Sequence, residues 1–175
     1  MSTYNGISMI PQQIWSYPDS VIATDACLSG CGGYSRNLGY FFHTPYPASI
    51  MSNNYNINVL ELWTVIIALE LWGDKLQGHR VQVFCDNQPS VTLINSGRTR
   101  GSLTSACLRE IAYLCSVCEM EVRACHISSE ANRLADYSSR LVTDNENLYK
   151  FLKEADFQTQ EVKVPNELFQ FKADW

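Results

Sequence analysis

Short apolar runs, two of which end in a carboxylate, alternate along most of this chain with longer apolar stretches at helical spacing. Val21 to Asp25 is the first such run and reads as a strand closed by an acid. Gly30, Gly32 and Gly33 follow and read as a tight turn. Tyr34 to Thr44 reads as two further strands around a turn near Asn37–Gly39, ended by Pro45 and Pro47. Asn58 to Trp72 is the clearest helix, with Asn58 suited to an N-cap and Gly73 to a stop. It is apolar almost all round, which predicts burial on more than one side. Val81 to Asp86 repeats the pattern of a strand closed by an acid, and Gln88 to Asn95 reads as a short helix. Leu103 to Glu119 is a helix whose stripe is Leu103, Cys107, Ile111, Leu114, Cys115 and Cys118, with Arg109, Glu110 and Tyr113 facing away. Glu121 to His126 reads as a fifth strand, and Asn132 to Arg140 as a last core helix.

Early strands followed by alternating helix and strand imply an α/β domain, a mixed sheet with helices against it. The domain spans residues 20–140. Residues 1–19, with Pro11 and Pro18, read as a leader. Residues 141–175 read as a tail with a short helix near Glu146–Ala155 and an aromatic end, Leu168 to Trp175.

Composition narrows the class. The 175 residues are 46% hydrophobic and 18% charged, which fits one globular domain rather than a disordered chain. No eighteen-residue apolar stretch predicts a membrane span, and the first residues do not have the pattern of a secretory signal. Seven cysteines scattered through apolar segments fit an intracellular, reducing compartment, cytoplasm or nucleus, better than a disulfide scaffold. Cys115 and Cys118 have a metal-like spacing, but their place on an apolar stripe makes them small core residues. The net charge of −5 is unusual for a freestanding nucleic-acid binder and compatible with a domain whose larger parent supplies the grip.

The carboxylates carry the candidate chemistry. If the strands ending in Asp25 and Asp86 are parallel neighbours, both acids meet at one end of the sheet, where such sheets bind ligands. Glu61 sits one turn into the apolar helix and shares its face with Thr64 and Ala68, whereas Glu70 points nearly the opposite way. Its bland alternative is a capping box with Asn58. Asp136 follows His126 by ten residues. Four such acids in one place repel one another, and divalent cations relieve that repulsion. Hard oxygen ligands favour two Mg²⁺ ions, with Mn²⁺ able to substitute.

The order Asp25, Glu61, Asp86, Asp136 resembles that of the ribonuclease H family. Ile57-Asn58-Val59-Leu60-Glu61-Leu62, Cys85-Asp86-Asn87, and His126 through Ala135-Asp136 with Ser138-Ser139-Arg140 are similar to the ribonuclease H domain of retroelement reverse transcriptases. Within these they are most similar to the DIRS and Ngaro-like elements that integrate by a tyrosine recombinase. Those elements carry a Gly in the loop after the His, where this chain has Ser128-Ser129.

The resemblance implies a ribonuclease H-like fold with a five-stranded mixed sheet of order 3-2-1-4-5 flanked by helices. It implies an endonuclease that hydrolyses the RNA strand of RNA–DNA hybrids, beside the polymerase part of a reverse transcriptase and with no membrane involved. The four acids would hold the metal ions, His126 would assist turnover, and Asn58, Asn87 and Asn132 would lie near the nucleic acid. Only Ser96 to Ser102 separates the short helix from the long one, which leaves no room for an extra basic helix. Arg98 and Arg100 in that loop are then the best phosphate contacts. The alternative is a ribonuclease H-like binding or structural module that has lost catalysis, against which the retention of all four acids argues. Transposases and integrases of the same superfamily place a catalytic Glu last, whereas here the Glu comes second.

Overall fold

In the computed structural model, which describes residues 17–141, 145–155 and 159–171, strand β1 (Ser20–Ala26) lies inside a six-stranded sheet. The chain continues through β2 (Gly30–Ser35), β3 (Tyr40–Pro45), a short helix α1 (Ala48–Met51), α2 (Ile57–Leu71), a short helix α3 (Gly73–Leu76) and β4 (Arg80–Cys85). Helices α4 (Gln88–Ser96) and α5 (Ser102–Val117), strand β5 (Glu121–His126) and helix α6 (Arg133–Arg140) complete the part that carries the acids. Then come α7 (Asn145–Glu154), a two-residue strand β6 (Gln160–Glu161) and a 3₁₀ turn over Asn166–Phe169. Residues 1–16 of the expected leader and 172–175 of the expected aromatic end lie outside the described residues. Among the described residues no helix is long and apolar enough to cross a membrane.

The strand order is β5-β4-β1-β2-β3-β6. It contains the expected 3-2-1-4-5 order and adds a sixth strand at the β3 edge, so the sheet is larger than the five strands the sequence implies. A two-residue strand has no periodicity to betray it. Strand β6 is made by Gln160 N–H donating to the Gly39 carbonyl and Val162 N–H to the Phe41 carbonyl, both at 2.8 Å. Beyond it, Phe169 packs edge-on to Tyr46 and Phe171 stacks on Trp63, with centroids 6.1 and 5.1 Å apart.

Alternation along the strands feeds two cores. Phe42 joins the large cluster under α2 and α5, with Ile22, Val81, Val83 and Val122. Its neighbour Phe41 joins a smaller cluster with Tyr34, Leu141 and Phe151 on the other face, under α6 and α7. Helix α2 is buried without interruption from Val59 to Leu69, as its unbroken apolar sequence predicts.

Four details depart from the sequence expectations. The N-cap of α2 is Asn56, whose side chain accepts the Val59 N–H at 3.1 Å; Asn58 lies inside the helix, and no capping box with Glu61 exists. The helix ends at Leu71, and after a bend at Trp72 the chain turns into α3, so Gly73 begins an element rather than stopping one. Glu110 is fully buried rather than facing away, because it stands three residues after Cys107 and four before Leu114, on the same face of α5.

The fourth is the glycine run, which is not a turn but the strand β2. Helix α6 lies directly on it: a Cβ at Gly32 would come within 2.5 Å of the Ser138 carbonyl carbon and the Ser139 nitrogen. Backbone against backbone at that distance leaves a side chain nowhere to go. Gly32→Ala should therefore lower stability by about 2 kcal/mol or more, read as a lower urea midpoint at unchanged slope. An unchanged midpoint would show that α6 can lift off the sheet without cost.

Candidate metal centre

Strand register brings the first two acids together. Strands β1 and β4 are parallel, and their pairing runs from Ser20↔Val81 to Ala23↔Phe84. Asp25 and Asp86 each stand two residues beyond that last pair, at the same end of the sheet. Antiparallel β2 sets Gly32 opposite Asp25, and parallel β5 sets His126 beside Cys85. The third acid comes from α2: oxygens of Glu61 and Asp86 and the Cys85 sulfur all lie within 4.8 Å of one another. The fourth, Asp136, is on the first turn of α6.

Burial makes this cluster electrostatically costly. Glu61 is 2% exposed and Asp25 5%, while Asp86 and Asp136 are half-buried. Loss of hydration pushes the Glu61 carboxyl up to about 9, with the negative charges of Asp25 and Asp86 adding to it. The same loss of hydration raises Asp25 to about 7, helped by Asp86 and Asp136 and opposed by a hydrogen bond from Ser139. The Cys85 thiol is pushed up by burial and by the Glu61 charge, so it stays an S–H that donates to Glu61 Oε2 at 3.6 Å. It is a donor to the cluster rather than a thiolate ligand. What remains is a set of hard oxygen donors whose mutual repulsion a divalent cation would relieve, and that donor set fits Mg²⁺ or Mn²⁺.

Side chains from the C-terminal segment touch the acids. Ser139 Oγ lies 2.5 Å from Asp25 Oδ2 and 2.9 Å from the Asp136 carbonyl oxygen, so its single proton serves one or the other. Arg140 Nε donates to Asp136 Oδ1 at 2.6 Å, one helical turn away. Ser129 Oγ donates to Asp86 Oδ2 at 2.7 Å, and His126 Nε2 lies 3.2 Å from the Asp86 carbonyl oxygen. Besides His126, the motif around Ser138-Ser139-Arg140 and the Ser128-Ser129 departure are the marks these contacts leave in the sequence.

The other expected site residues divide. Asn58 and Asn87 do meet, with Asn87 Nδ2 donating to Asn58 Oδ1 at 3.0 Å, and Asn87 also caps α4 through Ser90 N–H. Arg98 and Arg100 are exposed on the α4–α5 loop. Asn132 does not face outward: it is 2% exposed, and its amide donates to the Thr24 carbonyl at 3.0 Å, tying the start of α6 to β1. Thr64 and Ala68 are fully buried, with the Thr64 hydroxyl spent on the Leu60 carbonyl, so that face of α2 packs in the core instead of lining a groove.

The raised carboxyls set a pH dependence. The unfolded acids titrate near 4, so the folded chain binds more protons than the unfolded one above that pH. Stability is fully present below about pH 4 and is lost as pH rises through about 7 for Asp25 and about 9 for Glu61. Without metal, the melting temperature should fall from about pH 5 to about pH 9, and Glu61→Gln should flatten the fall. A midpoint that rises across this window would contradict the burial of the two acids.

Residues 45–142 match the reverse transcriptase-like family. No curated protein matches the chain. Among solved structures, the chain is similar to LC11-RNase H1, isolated from compost by a metagenomic approach. The identity is 22%, over 76% of this chain and 97% of that one, with a TM-score of 0.49. The sheet seen here, with helices on both faces, makes an α/β fold whose strand order contains the 3-2-1-4-5 order expected of a ribonuclease H-like fold and adds one edge strand. With more than half of its length matched, the chain belongs to the reverse transcriptase-like family.

Proposed function

We propose that the chain is the ribonuclease H domain of a retroelement reverse transcriptase, of the DIRS or Ngaro-like kind. It would cut the RNA strand of RNA–DNA hybrids as an endonuclease. The observation that carries the reading is the convergence of carboxylates from β1, α2, β4 and α6 at one end of the sheet, two of them buried with raised pKa values.

In this reading Asp25, Glu61, Asp86 and Asp136 hold two divalent cations, Mg²⁺ or Mn²⁺. Such cations, when bound, activate a water and stabilise the leaving oxygen of a phosphodiester. The protein's own part is to fix the ligands. Burial keeps the Glu61 carboxyl from water, Ser139 hydrogen-bonds Asp25, and the half-buried Asp86 and Asp136 would meet the substrate. The Nε2 of His126 lies against the Asp86 carbonyl, so a proton-transfer role there falls to Nδ1. Asn58 and Asn87, which hydrogen-bond each other, would contact the nucleic acid, and the exposed Arg98 and Arg100 would contact phosphates. Preference for a hybrid would come from 2′-hydroxyl contacts on one strand and DNA geometry on the other. The polymerase part of the parent protein would supply the remaining grip.

Incubation with labelled hybrid, RNA duplex and DNA duplex tests this. The hybrid should be cut with Mg²⁺ and not with chelator, and the duplexes far more slowly. Asp86→Asn should remove at least about a hundredfold of the activity, more than is usual for residues that only orient a ligand. Equal cleavage of DNA duplex, or a fully active Asp86→Asn, would sink the reading. Binding to the hybrid should have a shallow salt slope, about −2 to −4, that flattens in the Arg98→Ala, Arg100→Ala double variant. A steep slope untouched by that variant would place the phosphate contacts elsewhere.

A further inference from the structure

The β5–α6 loop reaches Asp86 twice. His126 Nε2 lies 3.2 Å from its carbonyl oxygen, and Ser129 Oγ donates to its Oδ2 at 2.7 Å. The loop is closed by its own backbone: Ala131 and Asn132 N–H groups donate to the Ser128 carbonyl at 2.9 and 3.0 Å, and Asn132 N–H is also 3.2 Å from the Ser129 carbonyl. Both ends are anchored. His126 is the last residue of β5, in register with Cys85, and buried Asn132 is bonded to the β1 backbone. Ser129 therefore stands on a fixed turn, yet it is exposed, and its hydroxyl serves the Asp86 carboxylate.

An aspartate at the end of a strand can rotate about its last side-chain bond, which exchanges its two oxygens. A donor fixed at 2.7 Å from one oxygen stops that exchange and aims the other. Asp86 is the half-buried acid whose oxygen lies within 4.8 Å of Glu61, so its orientation decides whether the two carboxylates can share one cation. Residues that hold ligands in this way commonly govern metal affinity. A stabilising role for Ser129 would be small, because the hydrogen bond is exposed and the turn is closed without it.

We propose that Ser129 is a positioning residue of the candidate metal centre, its hydroxyl fixing the Asp86 carboxylate in the orientation that takes a divalent cation. This rests on the cation-site reading above.

The test is calorimetric titration of Mn²⁺ into the full chain, without nucleic acid, for the parent, Ser129→Ala, Ser129→Thr and Asp86→Asn. Ser129→Ala should bind Mn²⁺ about tenfold more weakly, with a metal-free melting temperature like the parent's. Ser129→Thr, which keeps the hydroxyl, should restore the affinity. Its hybrid cleavage in Ser129→Ala should be recovered by excess metal, which marks a binding defect rather than a folding one. Parent-like or tighter Mn²⁺ binding by Ser129→Ala, or a loss that Ser129→Thr does not restore, overturns the assignment. If Asp86→Asn binds Mn²⁺ as the parent does, the cation-site reading itself falls; if Asp86→Asn fails to bind and Ser129→Ala binds normally, only the role of Ser129 falls.

Discussion

Like charges held together out of water are the constraint on which the rest of this structure depends. Glu61 and Asp25 are almost fully buried, and loss of hydration raises both carboxyls, with Asp86 adding to each and Asp136 to Asp25. An isolated helix surface would let a glutamate swing back into water. Helix α2 forbids it, because the segment from Val59 to Leu69 is enclosed on all sides. The large hydrophobic cluster thus does more than stabilise the fold. It supplies the burial that keeps an acid where water alone would not leave it, a cost that folded proteins meet at functional sites.

The scaffold around the acids is built from close backbone approach and from short donors. Helix α6 can lie on β2 only because Gly32 has no side chain, while on the other face Gly33 leaves room for the Phe42 ring, which a Cβ there would approach to 2.5 Å. The approach of α6 sets Ser139 against Asp25 and Asp136 at the mouth of the sheet. On the other side, the β5–α6 loop sets Ser129 and His126 against Asp86. One segment, residues 126–140, therefore addresses both strand-end aspartates and carries the fourth acid. The added strand β6 and the stacking of Phe171 on Trp63 bring the tail back against α2 on the opposite side of the sheet from α6.

Much of this was legible in the chain. Strands that end in an acid are visible as short apolar runs, but the parallel pairing of β1 and β4, on which the meeting of Asp25 and Asp86 depends, is fixed only by the sheet order. The unbroken apolar run of α2 is plain, and it is what makes Glu61 stand out. Phase is harder to see. Asn56 and Asn58 are two residues apart, both good caps, and only the backbone path from α1 decides that Asn56 takes the role. Tertiary packing is hardest. The glycines of β2 look like a turn until α6 is placed on them, and Asn132 looks like a surface residue until its bond to Thr24 is known. The spacing that buries Glu110 was readable, since it shares its face with Cys107 and Leu114, and the chemistry of its side chain hides it. Ser129 carries no signal beyond lying in the loop after His126, because a single hydroxyl gives no pattern.

The proposed cation site draws four side chains from four elements. Anomalous diffraction from crystals grown with Mn²⁺ addresses it most directly, since the scattering locates the metal without reference to activity. Mn²⁺ is expected at the shared end of β1 and β4, with carboxylate oxygens of Asp25, Glu61, Asp86 and Asp136 as the protein ligands and Ser129 still bonded to Asp86. Anomalous density elsewhere on the molecule, with those four carboxylates free of metal at saturating Mn²⁺, would contradict it.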